Sequence, residues 1–156
     1  MRSPRTLPLA LTLTLLFAAC GPTVPGGNVR MDGNGAMEVT NSEGTAKMQA
    51  GGSVPSDWPK DAPIYAGATV TYSAAVSPTS GKPGNALLLT SNDSVTKVSD
   101  FYKKELAAKG WTITAAMQSG EAMIIGATKD SRTLGISIAG AEEGQTAITI
   151  GIESSK

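Results

Sequence analysis

The chain has 156 residues, with 13 lysines and arginines balanced by 13 acids, no histidine and one cysteine, Cys20. One cysteine excludes an intrachain disulfide, and without histidine the common zinc ligand sets and the His-dependent hydrolytic triads are excluded as well. A balanced charge lacks the clustered basic excess that nucleic acid or anionic lipid would require.

Arg2 and Arg5 precede an uncharged stretch from Leu7 to Ala19. This is the basic start and apolar run of an export signal, too short for a span of roughly 20 residues. It ends Leu16-Phe17-Ala18-Ala19-Cys20. Ordinary cleavage needs small residues at −1 and −3, and neither possible cut satisfies both. A large apolar residue, two small ones and a cysteine instead resemble the lipobox of bacterial lipoproteins, with Phe17 where Leu is usual. The resemblance implies removal of residues 1–19, a diacylglyceryl thioether on Cys20, and retention on the membrane through two or three acyl chains. The expected location is extracytoplasmic; Gly21 in place of Asp after the cysteine favours the outer membrane in a two-membrane host. Losing Arg2 and Arg5 leaves 11 basic residues against 13 acids, a net charge of about −2.

Residues 20–27 continue as a Pro/Gly tether, GPTVPGG after the cysteine. In residues 28–52, Val29 and Met31, then Met37 and Val39, then Ala46, Met48 and Ala50 alternate with polar residues, and turn-like segments separate the runs. That pattern is compatible with a short β-meander and equally with a flexible stalk. Asp32, Asn34 and Glu43 have part of a calcium-loop spacing, but Ala36 and Met37 stand where a ligand and a glycine are needed, so a turn is the reading.

Residues 53–156 form the expected folded domain. Pro59, Pro63 and Gly67 mark an extended lead-in. Six runs then alternate with period two, in the segments 69–76, 85–91, 111–117, 122–129, 133–138 and 148–152. Val70, Tyr72, Ala74 and Val76 are expected on one face, as are Trp111, Ile113, Ala115 and Met117. Between the second and third runs, Val95 to Lys109 reads as a helix, capped by Asp93 or Ser94 and closed at Gly110, with Val95, Val98, Phe101 or Tyr102, and Leu106 as its apolar stripe. The order β-β-α-β-β-β-β gives an α+β fold, an antiparallel sheet of about six strands with one helix on one face.

Trp58-Pro59-x-Asp61-x-Pro63-x-Tyr65-x-Gly67-Ala68, then Asp100-Phe101-Tyr102-Lys103-Lys104-Glu105-Leu106 and Gly110-Trp111, resemble a set of small bacterial lipoproteins of unassigned function. The resemblance runs from about Ser53 to the end and implies fold and address, with no catalytic residue to carry over.

Ser94 and Lys97 have the S-x-x-K spacing of serine penicillin-recognising enzymes, without their downstream elements or size. A helix cap explains Ser94, and no catalytic residue, metal ligand or cofactor is expected. The side of the strands opposite the apolar set carries Thr69, Thr71, Ser73, Thr112, Thr114, Thr128, Thr133, Ser137 and Thr149, small and uncharged. A solvated sheet face ordinarily carries charge, so these nine are candidate partner-binding residues for an envelope protein, a glycan or a second copy. The expected function is a lipid-anchored, non-catalytic binding or structural module at the cell envelope. The alternative is a carrier holding a small apolar ligand between helix and sheet, lined by residues such as Met117, Met123 and Phe101.

Overall fold

A computed structural model describes residues 27–78 and 82–153; Cys20 and the segment expected to be an export signal lie outside them. The strands are β1 (Asn28–Met31), β2 (Ala36–Asn41), β3 (Gly44–Ala50), β4 (Thr69–Pro78), β5 (Gly84–Ser91), β6 (Thr112–Ser119), β7 (Ala122–Lys129), β8 (Arg132–Gly140) and β9 (Thr146–Glu153), with the helix α1 (Val95–Ala108) between β5 and β6. They form one antiparallel sheet in the order β1-β2-β3-β4-β5-β9-β8-β7-β6. The architecture is α+β, as the periodicities require, but the sheet has nine strands where about six were expected. The extra three are residues 28–50, which pair through β3 with β4 and are a continuation of the sheet rather than a stalk.

Alternate residues of β5, β7, β8 and β9 supply the core: Leu87 and Leu89, Ile125 and Ala127, Leu134, Ile136 and Ile138, and Ile148, Ile150 and Ile152, each at most 2% exposed. The helix lies over β6, β7 and β8 and inserts Val98, Tyr102 and Leu106. Ser94 caps it, its Oγ accepting from the Lys97 backbone N–H at 3.3 Å. At the other end Gly110 N–H donates to Ala107 and Trp111 N–H to Leu106, with Gly110 at φ 79°. This paired closure uses the left-handed conformation that glycine adopts without steric cost.

The lead-in packs beside the helix. Trp58, Ala62 and Tyr65 join the same buried cluster. Trp58 Nε1 donates to the Ala62 carbonyl, Trp111 Nε1 to the Asp61 carbonyl, and the Tyr65 backbone N–H to the Tyr102 hydroxyl. The lead-in motif and the helix motif that stood apart in sequence are therefore one packing unit.

Candidate functional site

Directly opposed residues of antiparallel strands share a face, so the registers assign every strand position to the helix side or to the open side. Two bulges alter the expected assignment. At Thr71 the β4–β5 register slips, so Val70 opposes buried Leu89 while Tyr72 opposes exposed Leu88. At Thr114 the β6–β7 register slips, so Ile113 opposes Ala127 but Met117 opposes Ile124. Each extra residue reverses parity beyond it. Tyr72, Ala74 and Val76, and Ala115 and Met117, thus leave the apolar set and lie on the open side. Ser73 makes the reverse move: it opposes Leu87 and is buried on the helix side, so it is no part of the expected partner surface.

The other candidates, Thr69, Thr71, Thr112, Thr114, Thr128, Thr133, Ser137 and Thr149, fall together on the open side. Thr71 Oγ1 donates to the Leu88 carbonyl at 3.0 Å, which ties the β4 bulge to its neighbour. Leu88, Met117, Ile124 and Val76 also emerge there, at 38%, 59%, 45% and 47% exposure. The surface is therefore more apolar than the hydroxyl-rich face expected.

The space between helix and sheet, where the carrier alternative puts its ligand, is filled by Val98, Tyr102 and Leu106 against the buried strand residues. Met117 and Met123 cannot line one cavity there, because the Thr114 bulge puts them on opposite sides. An opening does exist on the helix side, at the end of the sheet that the helix does not cover. A groove of about 590 Å³ lies between residues 53–57 and strands β2 to β4. Gln49, Ser73, Ala75 and Lys47, all helix-side positions, meet Val54, Pro55 and Asp57 around it. This volume is in the range of small-molecule sites, and the lining mixes apolar surface with one cationic and one anionic side chain. Lys47 Nζ is 3.2 Å from Glu38 on the adjacent strand.

The remaining sequence motifs resolve as turns and caps. Asp32 Oδ1 accepts from the backbone of Asn34 and Ala36, and Asn41 Oδ1 from Glu43 and Gly44. These two turns close opposite ends of β2, so Asp32 and Glu43 do not converge on one ion. Lys97 Nζ reaches Asp93 at 2.7 Å rather than Ser94, and this bond, with a smaller effect from the Tyr65 hydroxyl that donates to the same carboxylate, lowers the Asp93 carboxyl below its ordinary value. Ser94 is thus a cap without a paired amine.

Two anchors on carboxylates, one ion-paired and one hydrogen-bonded, were not legible in the sequence. Asp61 receives both guanidinium nitrogens of Arg132, at 2.8 and 2.6 Å, and Lys129 Nζ at 2.8 Å. The Arg132 bond, with help from Lys129, holds the Asp61 carboxyl well below the usual carboxylate range against the opposing effect of burial. Arg132 also lies over the Trp111 ring, 5.0 Å from its centroid. The second anchor is Tyr65, whose hydroxyl donates to Asp93 at 2.7 Å.

The chain is a small α+β domain with one helix on one side of its sheet and a groove over β2 to β4. A START domain-like family model matches residues 70–150, and the chain belongs to that family, whose members are generally binding domains rather than catalysts. No curated protein and no solved structure matches the chain. Among the described residues no helix is long and apolar enough to cross a membrane.

Proposed function

We propose that this protein is a lipid-anchored, extracytoplasmic binding module of the cell envelope that takes a small amphipathic ligand in the groove between residues 53–57 and strands β2 to β4. The observation that carries the ligand reading is the 590 Å³ groove on the helix side of β2 to β4; the family match supports a binding role and reaches the β4 residues Ser73 to Ala75 of its lining. Its floor offers apolar contact at Ala75, Val54 and Pro55, while Lys47, Gln49 and Asp57 can orient a polar end. The anchoring reading rests on Leu16 to Cys20 and on the resemblance to small bacterial lipoproteins. Acyl chains on Cys20 would hold the domain to the membrane while the tether lets it stand off.

Native mass spectrometry of the chain purified gently from its own host tests the ligand reading. An adduct of small-molecule mass is expected, lost in Ala75→Trp, which fills the groove floor. A bare chain, or an adduct retained in Ala75→Trp, overturns it. Labelling with palmitate tests the anchor: Cys20→Ser is expected to lose the label and leave the membrane fraction, and an unlabelled parent chain overturns lipidation.

A further inference from the structure

The open side of the sheet has the composition of a buried surface. Strands β1 to β3 put Arg30, Glu38, Lys47 and Gln49 on the helix side and Val29, Met31, Met37, Val39, Ala46 and Met48 on the open side. An amphipathic meander facing water would present the reverse. The same side continues over β4 to β9 with Leu88, Ile124 and Met117 emerging, and Glu153 is the charged strand residue on it among the described residues.

The rows across the strands have complementary relief. One row, Tyr72-Leu88-Thr149-Ser137-Ile124-Met117, stands up from the sheet at its two ends, where Tyr72 with Leu88 and Ile124 with Met117 flank the smaller Thr149 and Ser137. The next, Ala74-Ala86-Gly151-Gly135-Gly126-Ala115, is a trough. A groove of about 460 Å³ lies over Gly135, Gly151, Ala86 and Ala74, with Lys82 and Glu153 at its edge. Ridge and trough are two residues apart along the strands, ~6.6 Å.

We propose that the open side is the interface of a homodimer, two copies stacking sheet on sheet with each ridge in the partner's trough. A two-fold axis parallel to the two rows and midway between them carries each ridge over the opposite trough, so one surface is complementary to itself. The same operation keeps the strands of the two sheets aligned, the common packing of facing sheets. The six strands β4 to β9 that carry both rows offer ~24 Å by ~23 Å, hence ~550 Å² per copy and ~1,100 Å² in all, which clears the ~1,000 Å² that a specific interface needs. A membrane surface would call for a cluster of basic residues, and among the described residues the groove on this side has the single lysine Lys82 beside Glu153. This surface is on the opposite side of the sheet from the groove of residues 53–57 and stands or falls apart from it.

The test is the mass of the full chain, extracted in mild detergent and measured by sedimentation velocity. Two chains per particle are expected. Gly135→Arg and Gly151→Arg fill the trough, and an added Cβ at either position meets nothing within 4 Å in the single chain. Each is therefore expected to give monomers whose circular dichroism and cooperative melting match the parent. Ile124→Glu, on the ridge, is the second line of test and is expected to do the same. A monomeric parent, a parent paired one-to-one with a different protein, or folded arginine and glutamate variants that stay dimeric would each overturn the proposal.

Discussion

Arg132 grips the carboxylate of Asp61 through two guanidinium nitrogens, at 2.8 and 2.6 Å, across 71 positions of sequence. Asp61 belongs to the lead-in and Arg132 opens β8, so the pair fastens the lead-in to the sheet. Lys129 reinforces it, and Lys129 Nζ also donates to the Lys109 carbonyl at the end of the helix. Because Arg132 lowers the folded-state carboxyl below its unfolded value, the stabilisation is fully present above about pH 5 and is lost as pH falls through about 4 and below. Asp61→Asn is expected to cost about 1–3 kcal/mol at pH 7. It should also flatten the acid limb of the stability curve. Urea melts of parent and variant from pH 7 to pH 2 check both; parallel curves would refute the assignment.

Gly110 holds φ 79° at the helix end, and an added Cβ would meet only the Lys129 side chain, at ordinary contact distance. The cost of Gly110→Ala is then backbone strain alone, expected at about 1 kcal/mol. Gly135→Ala, at a strand position with open space around it, is the control and should change the stability of a single chain little. Equal losses in the two variants, compared under conditions where both are monomeric, would show that the helix closure is not what Gly110 supplies.

Much of this fold was legible because its signals are local. Period two located every strand of residues 69–152, and a capping serine and a closing glycine located the helix. Face assignment failed where one residue interrupts the period: Thr71 and Thr114 are ordinary strand formers, and nothing in their chemistry announces a bulge. That is why Met117 and Tyr72 were expected in the core and Ser73 outside it. The pairing of β3 with β4 was hidden for a different reason, since the lead-in separates them and the meander's few large apolar residues suit a stalk as well as a strand. The groove was invisible because its walls come from β2, β3, β4 and residues 53–57 at once.

The meander lies outside the family match and is joined to the rest only through β4. Gly44 is its most constrained point: φ is 142°, and an added Cβ would run into the Ser77 carbonyl of β4. Gly44→Val is expected to loosen β1 to β3 without unfolding the rest. Hydrogen exchange should show fast amides in β1 already in the parent, slow ones in β8 and β9, and a selective loss of protection in β2 and β3 of the variant. Uniform loss over all nine strands would mean that the meander and the family domain unfold as one unit.

Tyr102 is fully buried on the helix, and its hydroxyl accepts the Tyr65 backbone N–H at 3.2 Å. Burial is the main cause that pushes this phenol well above its usual range, because the phenolate would lose its water. The unfolded chain releases the proton near pH 10 while the folded chain keeps it. Stability from this group is therefore intact below about pH 10 and falls above it, by at most about 1.4 kcal/mol per pH unit. Tyr65, raised chiefly by its bond to Asp93, acts in the same direction. Tyr102→Phe leaves the Tyr65 N–H unpaired and is expected to cost about 1–3 kcal/mol at neutral pH. Lacking the phenol, the variant also lacks its share of the alkaline decline, so the two stability curves should converge between pH 10 and pH 12. Denaturant melts across that interval measure the difference directly. A constant gap would mean that Tyr102 ionises as readily in the folded chain as in the unfolded one, and that its burial beneath the lead-in is not maintained in solution.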